Sequence, residues 1–237
     1  MFRRTLSLLG LTGAGLLTAG VLAGCASGSS GSSSTPDATP SAPAAELGAA
    51  WLDGGRALAI VTTGSSSCAP RVTEQPTFAD GALTVVLSGA DDAVCTSDLA
   101  PRATYVPLPA GVDPTQRLAV TVTGAASGEV DLAAMPSSAP ATSEYAPSAG
   151  WVDESTVAIL TWGSSSCLPQ VETVRPAGSD IAVRFAQPPA DQICTMDMAP
   201  RVALADVTGM AGAGEVRLVL SGGNVASDGP IPVLGSH

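Results

Sequence analysis

Beyond residue 46, apolar residues fall into short runs that are separated by Gly, Pro, Ser and Asp. Segments 83–87 and 118–122 alternate between the two faces, as strands with one buried face do. Segment 57–63 is instead a continuous run of apolar and β-branched residues that ends at a Gly-Ser turn. No window keeps a period of 3.6 residues for more than about two helical turns. This pattern predicts an all-β protein.

The same series of strands and turns is predicted twice. Asp80-Gly81 and Gly178-Ser179-Asp180 are typical hairpin turns, and Pro76 and Pro176 are expected to interrupt the strands before them. The first series comprises segments 57–63, 72–78, 83–87, 104–108, 118–122 and 129–132, and the second comprises 156–162, 171–175, 181–185, 202–207, 216–220 and 231–234. Short strands with a turn signal about every 10 residues predict a sandwich or small barrel in each series.

Two sequence motifs confirm that the chain contains an internal duplication. The motif Gly-Ser-Ser-Ser-Cys occurs at residues 64–68 and again at 163–167. The motif Cys-Thr-x-Asp-x-Ala-Pro-Arg occurs at residues 95–102 and again at 194–201. Both motifs return at the same offset, which chance does not explain. We therefore predict two homologous small β-sandwich or barrel-like domains in tandem.

The N-terminal segment has the three parts of a secretory signal: Arg3 and Arg4, an uncharged apolar stretch over 6–22, and a small-residue exit. The exit, Leu22-Ala23-Gly24-Cys25, resembles the lipobox of bacterial lipoproteins, and a Ser/Gly/Pro-rich stretch follows it as in their tethers. The resemblance implies cleavage before Cys25, lipid on that cysteine, and attachment to the outer face of the cell membrane. Both general secretory and twin-arginine export are compatible with the paired arginines.

These observations divide the chain into five parts. We predict a signal peptide over 1–24, a disordered tether over 25–47, a first domain over 48–132, a linker over 133–148 and a second domain over 149–237. Trp51 and Trp151 open the two domains and are expected to cover their cores.

Cysteine spacing predicts one disulfide in each domain. Of five cysteines, Cys25 is assigned to lipid, which leaves Cys68 with Cys95 and Cys167 with Cys194 at equal spacing. An even set at repeated spacing in an exported chain is typical of disulfides. A metal site would need closer spacing and histidine, so we predict neither a metal nor a cofactor.

Charge and residue inventory restrict the classes of function. The formal net charge of −11 disfavours nucleic acid, whose binders need a basic stripe. All ten basic residues are Arg, which resembles the codon bias of a GC-rich genome, and the chain resembles secreted lipoproteins of high-GC Gram-positive bacteria. The single histidine, His237, ends the chain, and lysine is absent, so the usual bases of nucleophilic catalysis are missing. Asp91-Asp92 is expected to lie in a solvated turn, and we predict no enzymatic activity.

Three residues are candidates for ligand binding. Trp162 replaces Thr63 of the first copy and is the aromatic residue most expected at the surface. Arg102 and Arg201 could bind a carboxylate or phosphate, or could pair locally with the aspartate four residues earlier, and the structural role is favoured. Met196, Met198 and Met210 would suit a soft metal, but Leu99 occupies the position of Met198 in the first copy, which favours core packing.

Together these features predict a lipid-anchored surface protein that binds an envelope protein or a cell-wall polymer. A protease inhibitor or protease regulator is the alternative, because the strand order is faintly similar to small β domains of protease-complex subunits. A cell-wall-active enzyme is a third reading, which the missing base disfavours.

We predict that Cys95→Ala strongly destabilises the first copy. Closing a loop of this length contributes roughly 3.5 kcal/mol in the entropic model of disulfide stabilisation. That contribution is comparable with the net stability of a small domain. Thermal unfolding followed by circular dichroism should therefore show a large fall in melting temperature, and a curve that coincides with wild type would contradict the prediction.

Overall fold

The computed structural model describes residues 47–89, 94–136, 143–212, 214–225 and 227–236. These residues belong to one compact unit. The predicted signal peptide, with Cys25, and nearly all of the predicted tether lie outside the described residues, as do Asp91, Asp92 and His237.

The described residues form fifteen β-strands and one short 3-10 turn (Asp53–Gly55), which confirms the all-β class. The first copy contains β1 (Gly48–Leu52), β2 (Ala57–Gly64), β3 (Arg71–Val72), β4 (Thr77–Ala79), β5 (Ala82–Ser88), β6 (Ala100–Pro107), β7 (Leu118–Gly124) and β8 (Gly128–Leu132). The second contains β9 (Ser148–Trp151), β10 (Thr156–Gly163), β11 (Val171–Ala177), β12 (Asp180–Phe185), β13 (Ala199–Asp206), β14 (Arg217–Gly222) and β15 (Ile231–Leu234).

Both copies pair their strands in the same order. β1-β2-β6 corresponds to β9-β10-β13, and β3-β5-β7-β8, with β4 on β5, corresponds to β11-β12-β14-β15. β5 and β7 are parallel, as are β12 and β14, while their neighbours in the same sheets are antiparallel. In the second copy, β15 also pairs with β9, and this joins both groups into one seven-stranded sheet.

Local sequence predicted most of these strands, with differences at the prolines and at the start of each copy. The hairpin turn at Asp80-Gly81 is confirmed, and both residues have positive φ. Pro76 does separate β3 from β4, but β11 continues through Pro176. Because β11 is an edge strand, the missing N–H of this proline is tolerated there. β1 and β9 were not predicted as strands.

Each copy has its own apolar core. In the first, Trp51 is buried and its indole Nε1 donates to the Ala133 carbonyl oxygen at 2.8 Å. Met135 is buried in the same core, so the beginning of the predicted linker packs on the first copy. In the second, Trp151 is buried together with Phe185. The prediction that both tryptophans cover the cores is confirmed.

A third apolar cluster lies between the copies and explains the continuous apolar run in β2. Leu58 and Ile60 face the core of the first copy, while the alternate positions Ala57 and Ala59 face the second copy. The complete cluster consists of Ala50, Leu52, Ala57, Ala59, Ala158 and Leu160. Strands that are buried on both faces lose the alternation of apolar and polar residues. We call this group the inter-copy cluster.

Backbones of the two copies approach closely beside this cluster. A Cβ atom added to Gly150 on β9 would lie only 2.0 Å from the carbonyl oxygen of Trp51 on β1. In addition, Leu234 at the end of β15 contributes to the core of the first copy. Packing of the two copies therefore depends on the absence of a side chain at residue 150.

We expect Gly150→Ala to destabilise the chain, because the new methyl group must displace backbone rather than a flexible side chain. Overpacking of this kind costs about 1–3 kcal/mol. Gly229→Ala is the matched control, since a Cβ there would meet nothing within 4 Å. Urea unfolding should show a lower midpoint for Gly150→Ala alone, and equal midpoints for both variants would refute the proposed close approach.

Candidate functional site

Both predicted disulfides are present. Cys68 is bonded to Cys95 with an S–S distance of 2.03 Å, and Cys167 is bonded to Cys194. In each copy the bond joins the serine turn after β2 or β10 to the loop that precedes β6 or β13. The repeated motifs therefore meet in space at one end of each copy.

A network of hydrogen bonds joins the same two segments, and we call it the polar network. In the first copy, Ser65 Oγ lies 2.8 Å from Thr96 Oγ1, and the Thr96 N–H donates to Ser67 Oγ at 3.0 Å. The Ser66 N–H donates to Asp98 Oδ1 at 3.1 Å, and the Thr96 hydroxyl donates to the same oxygen. The hydroxyls of the serine turn are thus engaged with the chain itself.

The second copy repeats this network residue by residue. Ser164 Oγ lies 2.8 Å from Thr195 Oγ1, and the Thr195 N–H donates to Ser166 Oγ at 3.0 Å. The Ser165 N–H donates to Asp197 Oδ1 at 3.0 Å, and the Thr195 hydroxyl donates to that carboxylate too. Such repetition, at exposed positions, indicates that the network stabilises the loop.

Hydrogen bonding to the network lowers the pKa of both aspartates. The hydroxyl of Thr96 and the hydroxyl and N–H of Ser66 stabilise the ionised Asp98 carboxylate and lower its pKa to about 2. The corresponding groups of Thr195 and Ser165 lower the pKa of Asp197. Both carboxylates are therefore ionised, and accept hydrogen bonds only, at neutral pH.

Arg102 binds backbone carbonyls of the serine turn rather than the aspartate of its own motif. Its Nη1 donates to the Cys68 carbonyl oxygen at 2.7 Å and to that of Ser65 at 3.1 Å. A Cβ at Gly64 would lie 2.6 Å from Nη2, so the guanidinium packs flat against this glycine. Since Asp98 is engaged by the polar network, the local Asp–Arg pair considered from the sequence is not the arrangement formed.

Arg201 has the same place in the second copy and is more deeply buried, with 8% of its surface exposed. Its Nη1 donates to the Cys167 carbonyl oxygen at 3.0 Å, and its Nη2 donates to that of Trp162 at 2.9 Å. Burial lowers the pKa of this guanidinium. These two hydrogen bonds to backbone carbonyls indicate a structural role for Arg201, and its role in ligand binding remains a prediction.

Trp162 lies between the two copies and is half-buried. Its ring is edge-on to Tyr105 of β6, with centroids 6.1 Å apart, and edge-on to Tyr145, with centroids 5.3 Å apart. Its Nε1 is enclosed and has no hydrogen-bond acceptor among the described residues. Trp162 and Arg201 are brought together, because both line one cavity beside the second disulfide. Arg102 belongs to the other copy and does not line this cavity.

The loops held by the polar networks expose large apolar side chains. Met196 is fully exposed, and Leu99 and Met198 are 82% and 58% exposed, so the prediction of core packing for Met196 and Met198 is wrong. Val94 and Ile193, beside the half-cystines, are also almost completely exposed. The equivalent positions of Leu99 and Met198 in the two copies correctly indicated a shared apolar site, but they did not show whether that site is buried or exposed. Met210 does pack against the core of the second copy.

No group of three His, Cys, Asp or Glu residues within the described ranges is arranged to hold a metal ion. Across the same residues, none of the helical structure is long and apolar enough to span a bilayer.

Comparison with known proteins gives no assignment. No protein family model, no curated protein and no solved structure matches this chain.

We expect the polar network to make stability depend on pH in the acid range. The pKa of Asp98 is lower in the folded chain than the ordinary value of 3.8, so ionised Asp98 stabilises the fold above about pH 4. This contribution is lost as the pH falls towards about 2. Asp98→Asn should therefore melt below wild type at pH 6, and the two curves should converge near pH 2.

Asp228→Asn is the control, since Asp228 is exposed and outside the network. The measurement is the difference in melting temperature between wild type and each variant across this pH range. A difference for Asp98→Asn that stays constant from pH 6 to pH 2 would contradict the assigned role of the carboxylate.

Proposed function

We propose that the chain is a lipid-anchored binding protein on the outer face of a bacterial cell membrane, built from two homologous β-sandwich units in tandem. The Leu22-Ala23-Gly24-Cys25 exit supports lipid anchoring at Cys25. The matching strand orders and equally placed disulfides support a duplicated sandwich unit. Disulfides are also typical of exported proteins.

The observation that carries a binding role is the exposure of apolar side chains on stabilised loops in both copies. Leu99, Met196 and Met198 expose apolar surface to water, and burying that surface against a partner would be favourable by about 25 cal/mol per Å². Because disulfides and polar networks already hold the loops, binding costs less conformational entropy than it would for free loops. In the second copy Ile193, Met196 and Met198 are exposed within six residues of one loop, and apolar side chains exposed together in this way commonly mark interaction sites.

The loops also indicate the chemistry of the partner. Asp98 and Asp197 are adjacent to the exposed apolar side chains, and the chain carries a formal net charge of −11. An envelope protein with apolar pockets and a basic rim would complement these surfaces. Two loops in one chain allow bivalent attachment, which raises avidity when the partner offers two sites.

Binding without catalysis fits the chemistry of the duplicated motifs. The serine hydroxyls are hydrogen-bonded to threonine hydroxyls, and the nearby carboxylates accept hydrogen bonds from backbone and hydroxyl groups. No described histidine or lysine accompanies these serines. A serine without a base remains a weak nucleophile.

Protease inhibition is a second candidate that one observation favours. Leu99 and Met198 project from disulfide-linked loops and each precedes an Ala-Pro pair that enters a strand. A stiff loop that presents one prominent apolar side chain can occupy the substrate cleft of a protease and dissociate from it slowly. Saturable inhibition of a serine protease that prefers Leu or Met would support this candidate.

We expect the triple variant Leu99→Ser/Met196→Ser/Met198→Ser to lose its partner. The oxidised full chain, immobilised in detergent micelles, should capture an envelope protein from a cell extract, and the variant should retain at least about tenfold less of it, since 1.4 kcal/mol is tenfold. Stability should change by only about 0.5 kcal/mol, because the three side chains are exposed in the free protein.

The control is Leu99→Met/Met196→Leu/Met198→Leu, which keeps apolar side chains of similar size and should retain the partner. Equal capture by the serine and control variants would show that these side chains do not form the binding surface.

A further inference from the structure

A cavity of about 650 Å³ lies beside the second disulfide. Its walls come from the end of β10 and the serine turn, the loop after β12, Arg201 on β13, and the turn after β14. This volume falls within the range of small-molecule sites, about 300–1,000 Å³. A disulfide and the polar network of the second copy hold two of its walls in place.

Uncharged amides dominate the polar groups in the cavity wall. Gln170, Gln187, Gln192 and Asn224 all line it; all four are exposed, and none of their side chains is hydrogen-bonded to another described residue. An amide side chain offers both donors and an acceptor. The cavity thus presents paired donors and acceptors that a ligand with the same dual capacity can satisfy.

Charge contributes little to this wall. No lining residue is acidic, and Arg201 is the only cation among them. Its Nη1 and Nη2 atoms already donate to backbone carbonyls, and its Nε is buried and has no hydrogen-bond acceptor among the described residues. With a formal net charge of −11, the chain also repels polyanions at a distance. A neutral ligand therefore fits the site better than an anionic one.

Apolar surface in the wall is rigid. Pro188 and Pro189 follow β12, and Pro169 follows the serine turn. Trp162 adds an aromatic side chain, which Tyr105 and Tyr145 contact edge-on. Prolines lose little conformational entropy when a ligand binds. Rigid apolar walls and amides together suit a ring that has an apolar face and a hydroxyl edge.

The amide wall belongs to the second copy alone. By position relative to the duplicated strands, Thr63 replaces Trp162, Arg71 replaces Gln170, and Gly89 replaces Gln187. Residues of the polar network and both half-cystines are the same in the two copies. The copies thus share a framework and differ in this wall, which is the expected pattern when only one of them holds a ligand here.

We propose that this cavity binds an uncharged oligosaccharide, with the amide side chains of Gln187 and Gln192 hydrogen-bonded to its hydroxyls and the wall around Trp162 against a sugar ring. Each sugar hydroxyl donates and accepts, as each amide does, so several hydrogen bonds can form without a buried unpaired group. The site goes beyond the apolar loops, which bind protein through different residues.

The test is isothermal titration calorimetry of the oxidised full chain in detergent micelles with cellotetraose, maltotetraose and chitotetraose. At least one should bind saturably, and Gln187→Ala/Gln192→Ala should weaken that binding at least about tenfold, the expected effect of losing two hydrogen bonds to the ligand. Gln75→Ala/Gln116→Ala, at exposed positions of the first copy, is the matched control and should leave affinity unchanged.

Three results would overturn the proposal. The first is that none of the three sugars binds, and the second is that a sugar binds Gln187→Ala/Gln192→Ala as tightly as wild type. The third is that tetragalacturonate or a neutral tetrapeptide binds wild type more tightly than the sugars do, and that this binding is lost in the same variant. The serine triple variant of the apolar loops should still bind the sugar. Loss of sugar binding and loss of protein capture are therefore separate outcomes, and each tests its own proposal.

Discussion

The inter-copy cluster brings Ala57 and Ala59 of β2 together with Ala158 and Leu160 of β10, and the rest of the molecule is arranged around this cluster. The opposite faces of the same strands carry larger side chains into the two separate cores. Because alanine and Gly150 leave little volume between the strands, the backbones of the two copies come close together. Burial of both faces raises the apolar area that each short strand removes from water, which compensates for a chain with few aromatic residues.

Away from this contact, each copy ends in a loop region that has little apolar core. The disulfide and the polar network replace core packing there, since they join the serine turn to the segment before β6 or β13. Arg102 and Arg201 complete the arrangement by satisfying backbone carbonyls of the turn. Loops held in this way can expose apolar side chains such as Leu99 without collapsing onto the core.

Duplication has produced two surfaces on one framework. Leu99 and Met198 are exposed at equivalent positions, which gives both copies an apolar loop. Trp162 and Gln187, in contrast, occur only in the second copy and line its cavity. We therefore propose that one chain carries a repeated protein-binding surface and a single saccharide site, both presented outside the membrane by the lipid on Cys25.

Local patterns in the sequence were sufficient for the strands that alternate, the Asp80-Gly81 hairpin, the two disulfides and the internal repeat, since each depends on neighbouring residues or on equal spacing. Local patterns did not predict the inter-copy cluster, because the apolar run in β2 does not indicate which residues cover its second face. The exposure of Met196 and Met198 was missed for a related reason: an apolar residue in a duplicated loop is compatible with either a core or a surface until packing is known. Only the tertiary structure decided these points, because burial is set by residues distant in sequence that the fold brings together.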